Sequence, residues 1–148
     1  MTKILIILRH AHRFTKPNRL QDNGLSPKGV AQAEKFRDKT IKRYRNLKGM
    51  SLLSSPKIRC VETLQPLARK LELPIQIDPL LAEQFNESTE AFQARVLMFW
   101  NAWLKTQHPI TVISTHGDWI PLFFKIIFGE VLSLKKGDSM RLSFKLRS

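Results

Sequence analysis

Ile4-Leu5-Ile6-Ile7-Leu8, closed by Arg9-His10, is apolar without alternation and rich in β-branched side chains. That pattern reads as a parallel strand buried on both faces. A strand of this kind needs helices on either side, and the chain supplies them in alternation. After a polar stretch up to Gly24 that reads as a loop, Ser26-Pro27 opens a helix with a capping side chain and a proline at its first position, running through Ala31, Ala33 and Phe36 towards Tyr44. Ser51-Leu52-Leu53-Ser54 is a short second strand. Ser55-Pro56 repeats the cap-plus-proline signal, and a helix follows through Thr63, Leu67 and Leu71 until Pro74 stops it. Ile75-Gln76-Ile77 is a third strand, and 79–90 a loop. Glu90 to Gln107 is an amphipathic helix with Phe92, Val96, Phe99 and Trp103 at helical spacing. Ile110 to Ser114 is a fourth buried strand, and Trp119 to Phe128 a helix apolar almost all round. Met140, Leu142, Phe144 and Leu146 alternate with Arg141, Ser143, Lys145 and Arg147, the period of a half-exposed strand near a sheet edge.

Strands alternating with helices predict an α/β fold: one domain over 1–148, a three-layer α/β/α sandwich with a mainly parallel sheet and one antiparallel edge strand. The 148 residues suit one domain, and 43% hydrophobic residues suffice for a core. Lys and Arg number 25 against 12 Asp and Glu, a formal net charge of +13, which favours anionic partners. The single cysteine, Cys60, excludes an internal disulfide framework and a cysteine metal cluster and fits a reducing compartment. The opening apolar run is too short for a signal-peptide core or a membrane span, so a cytoplasmic protein without membrane contact is expected.

Open parallel sheets bind ligands beyond the carboxyl ends of their strands. There the chain places Arg9-His10-Ala11-His12-Arg13 after the first strand, Ser54-Ser55-Pro56-Lys57-Ile58-Arg59 after the second, Glu83 and Glu87 after the third, and Ser114-Thr115-His116-Gly117-Asp118 after the fourth. Two histidines, two arginines and a carboxylate converging on one edge match phosphoryl transfer. A neutral imidazole attacks phosphorus to give a phosphohistidine. Guanidinium groups hold the equatorial oxygens bidentately, and a second imidazole hydrogen-bonds them. A carboxylic acid protonates the leaving oxygen. The cationic side chains take the electrostatic role of a metal, so neither metal nor cofactor is expected.

These segments resemble the histidine phosphatase (phosphoglycerate mutase-like) superfamily. Arg9-His10-Ala11 is similar to its Arg-His-Gly motif, and Leu25 to Ala33 to its helix-start signature. Ser54 to Thr63 resembles its second arginine motif and Ser114-Thr115-His116-Gly117 its second histidine motif. The resemblance implies that His10 is the nucleophile, that Arg9, Arg59 and His116 form the phosphate pocket, and that Glu83 is the proton donor, with Glu87 the competing carboxylate. Ala11 departs from the motif glycine, which tightens the space beside the phosphate. The family's common Ser and Asn shortly after the nucleophile are missing, and Arg13, or else Lys16, is the expected substitute contact.

The remaining polar residues read as structural. His12 is expected at the pocket rim or exposed, and His108, before Pro109, in local capping. Glu62 pairs within the site or caps, and Cys60 is buried and inert. Lys35, Arg37, Lys39, Lys42, Arg43, Arg45 and Lys48 read as a solvated helix face. No aromatic residues interleave them as a stacking platform, so nucleic acid is not an expected partner. The apolar helix from Trp119 to Phe128 reads as core and leaves room for a homodimer interface.

The family implies both phosphatases and mutases. Mutases carry longer insertions and tails over the site, whereas here the first two strands are joined by a short connection and the chain ends with the last strand. The expected activity is therefore a metal-independent phosphatase acting on a phosphorylated small molecule or a phosphoprotein. Its leading specific form is a phosphohistidine phosphatase. The alternatives are a phosphoglycerate mutase-type phosphotransferase and, from another class, a non-catalytic basic binding module on the same fold.

Overall fold

The computed structural model describes residues 2–44 and 49–146. Arg45, Lys48 and Arg147, assigned above to the basic helix face and the edge strand, lie outside the described residues. Five strands, β1 (Thr2–Arg9), β2 (Met50–Ser54), β3 (Ile75–Ile77), β4 (Ile110–Thr115) and β5 (Ser139–Lys145), form one sheet in the order β3-β2-β4-β1-β5. Every pairing is parallel except β1 with β5, the antiparallel edge that the period of two predicts.

The sheet is covered on both faces, which explains the unbroken apolar strands. Leu5 and Ile7 of β1, Leu53 of β2 and Ile113 of β4 face α3 (Thr89–Leu104) and α4 (Trp119–Phe128). Ile6, Leu8, Leu52 and Val112 face α1 (Pro27–Arg43) and α2 (Ile58–Leu71). The apolar circumference of α4 is mostly core: Trp119, Ile120, Phe123 and Phe124 are buried, and Leu122, Ile126 and Ile127 pack against them. Among the described residues no helix is long and apolar enough to cross a membrane.

α1 starts as the sequence predicts. Ser26 is extended and its Oγ accepts from the Gly29 N–H, with Pro27 at the first helical position. Gly29 is needed for packing rather than for a turn. A Cβ there would stand 1.9 Å from the His12 carbonyl oxygen, so only glycine lets the helix start lie on that backbone.

Three expectations are corrected. Ser55-Pro56 does not cap α2, which starts at Ile58 with Lys57 at the N-cap and no side-chain cap of its own. The carboxylate comes instead from a distant loop: Asp22 accepts from the Ile58 N–H at 2.9 Å, next to the positive end of the helix dipole. α2 ends before Pro74 can act, at a left-handed Glu72 whose N–H returns to the Ala68 and Arg69 carbonyls. α3 stops at Leu104, short of Gln107, and Lys3 of β1 reaches its end, donating to the Trp103 and Thr106 carbonyls.

Candidate active site

β1, β2 and β4 run parallel and end together. Arg9 is in register with Thr115, the His10 N–H donates to the Thr115 carbonyl at 3.0 Å, and the Ser55 N–H to the Ser114 carbonyl at 3.0 Å. The residues just past these ends open into a cleft of about 370 Å³ lined by Arg9, His10, Arg13, Arg59, Glu83 and His116. All six candidate site residues therefore share one cavity. Thr15, Arg19, Gly117, Asp118 and Lys136 complete its wall.

His10 is buried, and its Nδ1 donates to the Ala11 carbonyl at 2.9 Å. That bond fixes the tautomer and leaves the lone pair on Nε2. Burial pushes the His10 pKa down to about 4. The Ala11 carbonyl opposes this, while Arg59, Arg9 and Lys136 add to it. The imidazole is therefore neutral at ordinary pH, the state a nucleophile requires. Thr63 steadies the turn: its Oγ1 accepts from the Ala11 N–H at 2.9 Å and donates to the Arg59 carbonyl at 2.6 Å.

Ala11 does not crowd the cleft, contrary to the expectation for a replaced glycine. It is fully buried and clusters with Leu25 and Ala33, so its methyl group is spent on packing the α1 start.

His116 lies across from His10, with ring centroids 5.6 Å apart. Burial, reinforced by Arg59 and His10, pushes its pKa down to about 2. Its Nε2 is 2.8 Å from Ser55 Oγ, and its Nδ1 is 3.5 Å from Arg59 Nη2 and 3.8 Å from Glu83 Oε2. The Lys57 N–H points at the same Ser55 oxygen, which leaves the hydroxyl hydrogen for Nε2. Arg59 is buried and donates from Nη2 to Glu83 Oε2 at 2.8 Å; its Nη1 is 3.8 Å from Asp22. The Nε groups of Arg9 and Arg59 are both buried without a protein partner.

Geometry separates the two competing carboxylates. Glu83 faces Arg59, His116 and Lys57 in the cleft. Glu87 is bound to Arg95 at 2.5 Å, and that guanidinium holds its carboxyl below the usual range. Arg95 also donates to the Leu80, Ala82 and Glu83 carbonyls, so one α3 side chain braces the loop that presents Glu83. Thr115 Oγ1, donating to the Leu81 carbonyl at 2.6 Å, ties the same loop to β4.

Arg13 lies on the cleft wall, and its Nη2 donates to the Arg19 carbonyl at 3.0 Å. Lys16 is not among the lining residues. His12 is not a rim residue. It is half-buried and bonded to Ser26 Oγ, binding the loop to the α1 cap. Glu62 is structural, accepting from the Leu25 N–H at 2.9 Å. His108 donates to the Gly49 carbonyl at 3.2 Å rather than capping α3. Cys60 is buried against the His116 ring, and burial raises its thiol pKa to about 12, consistent with an inert group.

Sequence reading did not assign Ser55, Arg95, Arg19 or Lys136 to the site. Ser55 stood in the stretch past the second strand with a cap as its one assigned role, and Lys136 lies in a connection with no motif.

The sequence profile of the histidine phosphatase superfamily (branch 1) matches residues 5–86. The chain belongs to the histidine phosphatase superfamily. No curated protein matches the chain by sequence. Solved structures share its fold. A candidate alpha-ribazole-5'-P phosphatase of Escherichia coli superposes with a TM-score of 0.79 at 15% identity, covering 97% of this chain and 91% of that one. A phosphoglycerate mutase of Bacillus anthracis gives 0.78 at 14% identity, with 97% and 88% covered. A mycobacterial glucosyl-3-phosphoglycerate phosphatase, in complex with inorganic phosphate, gives 0.72 at 14% identity, with 94% and 88% covered.

Proposed function

We propose that the chain is a metal-independent phosphatase that hydrolyses phosphate monoesters through a phosphohistidine at His10. One observation carries the reading. The His10 ring is neutral and tautomer-fixed by Ala11, in a cleft that also holds Arg9, Arg59, His116 and Glu83.

In the first step the Nε2 lone pair attacks phosphorus, and the bond to the ester oxygen breaks. Glu83 gives its proton to the departing oxygen. Arg9 and Arg59 hold the non-bridging oxygens as charge spreads over them, with His116 donating a further hydrogen bond. In the second step water attacks the phosphoryl group, the Glu83 carboxylate takes its proton, and the P–N bond breaks. Inorganic phosphate leaves and His10 returns neutral. Protein phosphohistidine is a further substrate of the same chemistry, its imidazole replacing the ester oxygen as leaving group.

The test is turnover of an aryl phosphate in the presence of chelator by the wild type and by His10→Ala. The expected result is inorganic phosphate as product, an acid-labile phosphoryl label on the wild type, and loss of both in the variant. Undiminished turnover by His10→Ala, or phosphoryl passed to a second substrate instead of water, overturns the reading. A panel of phosphorylated metabolites, phosphopeptides and a phosphohistidine protein then ranks the substrates.

A further inference from the structure

The cleft holds more positive charge than one phosphoryl group uses. Arg9, Arg13, Arg19, Arg59 and Lys136 line it, against the carboxylates of Glu83 and Asp118. Of these five cations, Arg59 is the one that meets a carboxylate within 4.0 Å among the described residues. The Asp118 carboxylate is turned to the Gln84 N–H, at 3.0 Å from Oδ2. Arg9 donates from Nη1 to the Leu134 carbonyl and Arg13 from Nη2 to the Arg19 carbonyl, and a carbonyl does not neutralise a guanidinium.

A phosphoryl dianion is matched by Arg9 and Arg59, which flank His10. Arg13 and Arg19 come from the loop between β1 and α1, whose base is closed by the Arg13 pairing with Leu25. Lys136 comes from the separate connection between α4 and β5. Two unrelated segments thus deliver three further cations to one wall. Burial lowers the Lys136 pKa, and the positive charges of Arg9, Arg19, Arg13 and Arg59 lower it further. Burial depresses Arg13 as well, with Arg59 and Arg19 adding to the shift and Glu83 and Asp22 opposing it. An anion lying between these groups relieves their mutual repulsion. The cleft, at about 370 Å³, is of small-molecule size and has room beyond a phosphoryl group.

We infer that the cleft contains a second anion subsite, formed by Arg13, Arg19 and Lys136, and that the substrate is a small phosphate ester carrying a second phosphate or a carboxylate. The inference rests on the proposed phosphatase reading for the chemistry, but the subsite itself is a matter of binding. One end of the ligand sits on His10 between Arg9 and Arg59, and the other on the Arg19–Lys136 wall.

Calorimetric titration of the full chain separates binding from turnover. The probes are methylphosphonate, phosphonoacetate, and alkylene bisphosphonates of increasing linker length. A two-anion probe is expected to bind on the order of tenfold or more tightly than methylphosphonate, since hydrogen bonds to charged groups are the strong ones. Whether phosphonoacetate or a bisphosphonate leads tells a carboxylate from a second phosphate. The advantage is expected to collapse in Arg19→Gln/Lys136→Gln. It is expected to survive in Lys70→Gln/Lys105→Gln, which removes the same charge from exposed positions on α2 and at the α3 end. Thermal melts of both variants report that they fold. Equal affinity for one-anion and two-anion probes overturns the inference, as does retention of the advantage in Arg19→Gln/Lys136→Gln or its equal loss in the remote control. Two-anion preference without hydrolysis of any ester keeps the subsite and defeats the phosphatase reading. Hydrolysis without that preference does the reverse.

Discussion

The guanidinium of Arg9 lies against the backbone of Gly117, so closely that a Cβ on Gly117 would stand 2.7 Å from Arg9 Cζ and Nη2 and 2.9 Å from Nε. Gly117 is not among the positive-φ residues, so alanine fits its backbone without strain. What must give way is the tip of a long side chain. Gly117→Ala is therefore expected to displace the Arg9 guanidinium from the phosphate while leaving the core intact. The expected loss in kcat/KM is roughly 10- to 100-fold, the worth of a charge-assisted hydrogen bond or two. Stability should change by less than about 0.5 kcal/mol. Steady-state kinetics beside a thermal melt decide it, and a large fall in Tm with kcat/KM preserved would show that Gly117 serves packing instead.

Glu83 and Glu87 make opposite predictions. If Glu83 protonates the leaving oxygen, Glu83→Gln should hurt most where that oxygen is a poor leaving group. The expected loss in kcat is on the order of 10²- to 10⁴-fold with an alkyl phosphate, and much less with p-nitrophenyl phosphate, whose phenolate leaves unaided. Glu87→Gln breaks only the pair with Arg95 and should treat both substrates alike. Equal losses on the two substrates in Glu83→Gln would remove it from the proton-donor role.

The contrast between these carboxylates shows where sequence reading stops. Both sit in one polar loop, and nothing in their spacing tells them apart; Arg95, eight residues past Glu87 on another element, does. The buried strand at Ile4–Leu8, the Ser26-Pro27 start of α1 and the bounds of α4 were legible because each rests on local periodicity or a local cap. Ser55 was misread because the carboxylate at the start of α2 comes from Asp22, 36 positions before Ile58, which no local rule reveals. His10 and His116 were legible because each follows a strand end directly, and Arg59 because it sits five residues past β2, in the first turn of α2. Arg19 and Lys136 were not, because their place depends on how two polar loops fold over the sheet.

Ser55 carries a prediction of its own. Its hydroxyl, 2.8 Å from His116 Nε2 and approached by the Lys57 N–H, donates to that nitrogen and so puts the ring hydrogen on Nδ1, the side of Glu83 and Arg59. Ser55→Ala should leave the ring free to change tautomer. The expected signature is a shift of the His116 ¹⁵N resonances from the Nδ1–H pattern towards a mixture, with kcat falling by roughly tenfold. Ser55→Thr, which keeps the hydroxyl, should retain the wild-type pattern if the methyl group is accommodated. An unchanged ¹⁵N pattern in the alanine variant would mean that other contacts orient the ring.

The two buried imidazoles tie activity and stability to acid pH. With the His10 pKa held at about 4, the nucleophile stays unprotonated well below the usual histidine range. The acid limb of kcat/KM for the free enzyme should therefore lie near pH 4 rather than near 6.5. The sign for stability follows from the same depression. Above about pH 6.5 both folded and unfolded chains leave the ring neutral, and the folded state has its full stability. Between 6.5 and about 4 the unfolded chain binds the proton that the folded one refuses, so stability falls as the pH drops through that window. His116, held at about 2, adds to the slope and extends it further into acid. Each such ring contributes at most about 1.4 kcal/mol per pH unit. Replacing His10 with asparagine, which cannot take the proton, should flatten the Tm-against-pH curve of the wild type by one ring's share over this window. A wild-type acid limb near pH 6.5, together with curves that stay parallel, would mean that His10 is solvated and titrates as an ordinary histidine.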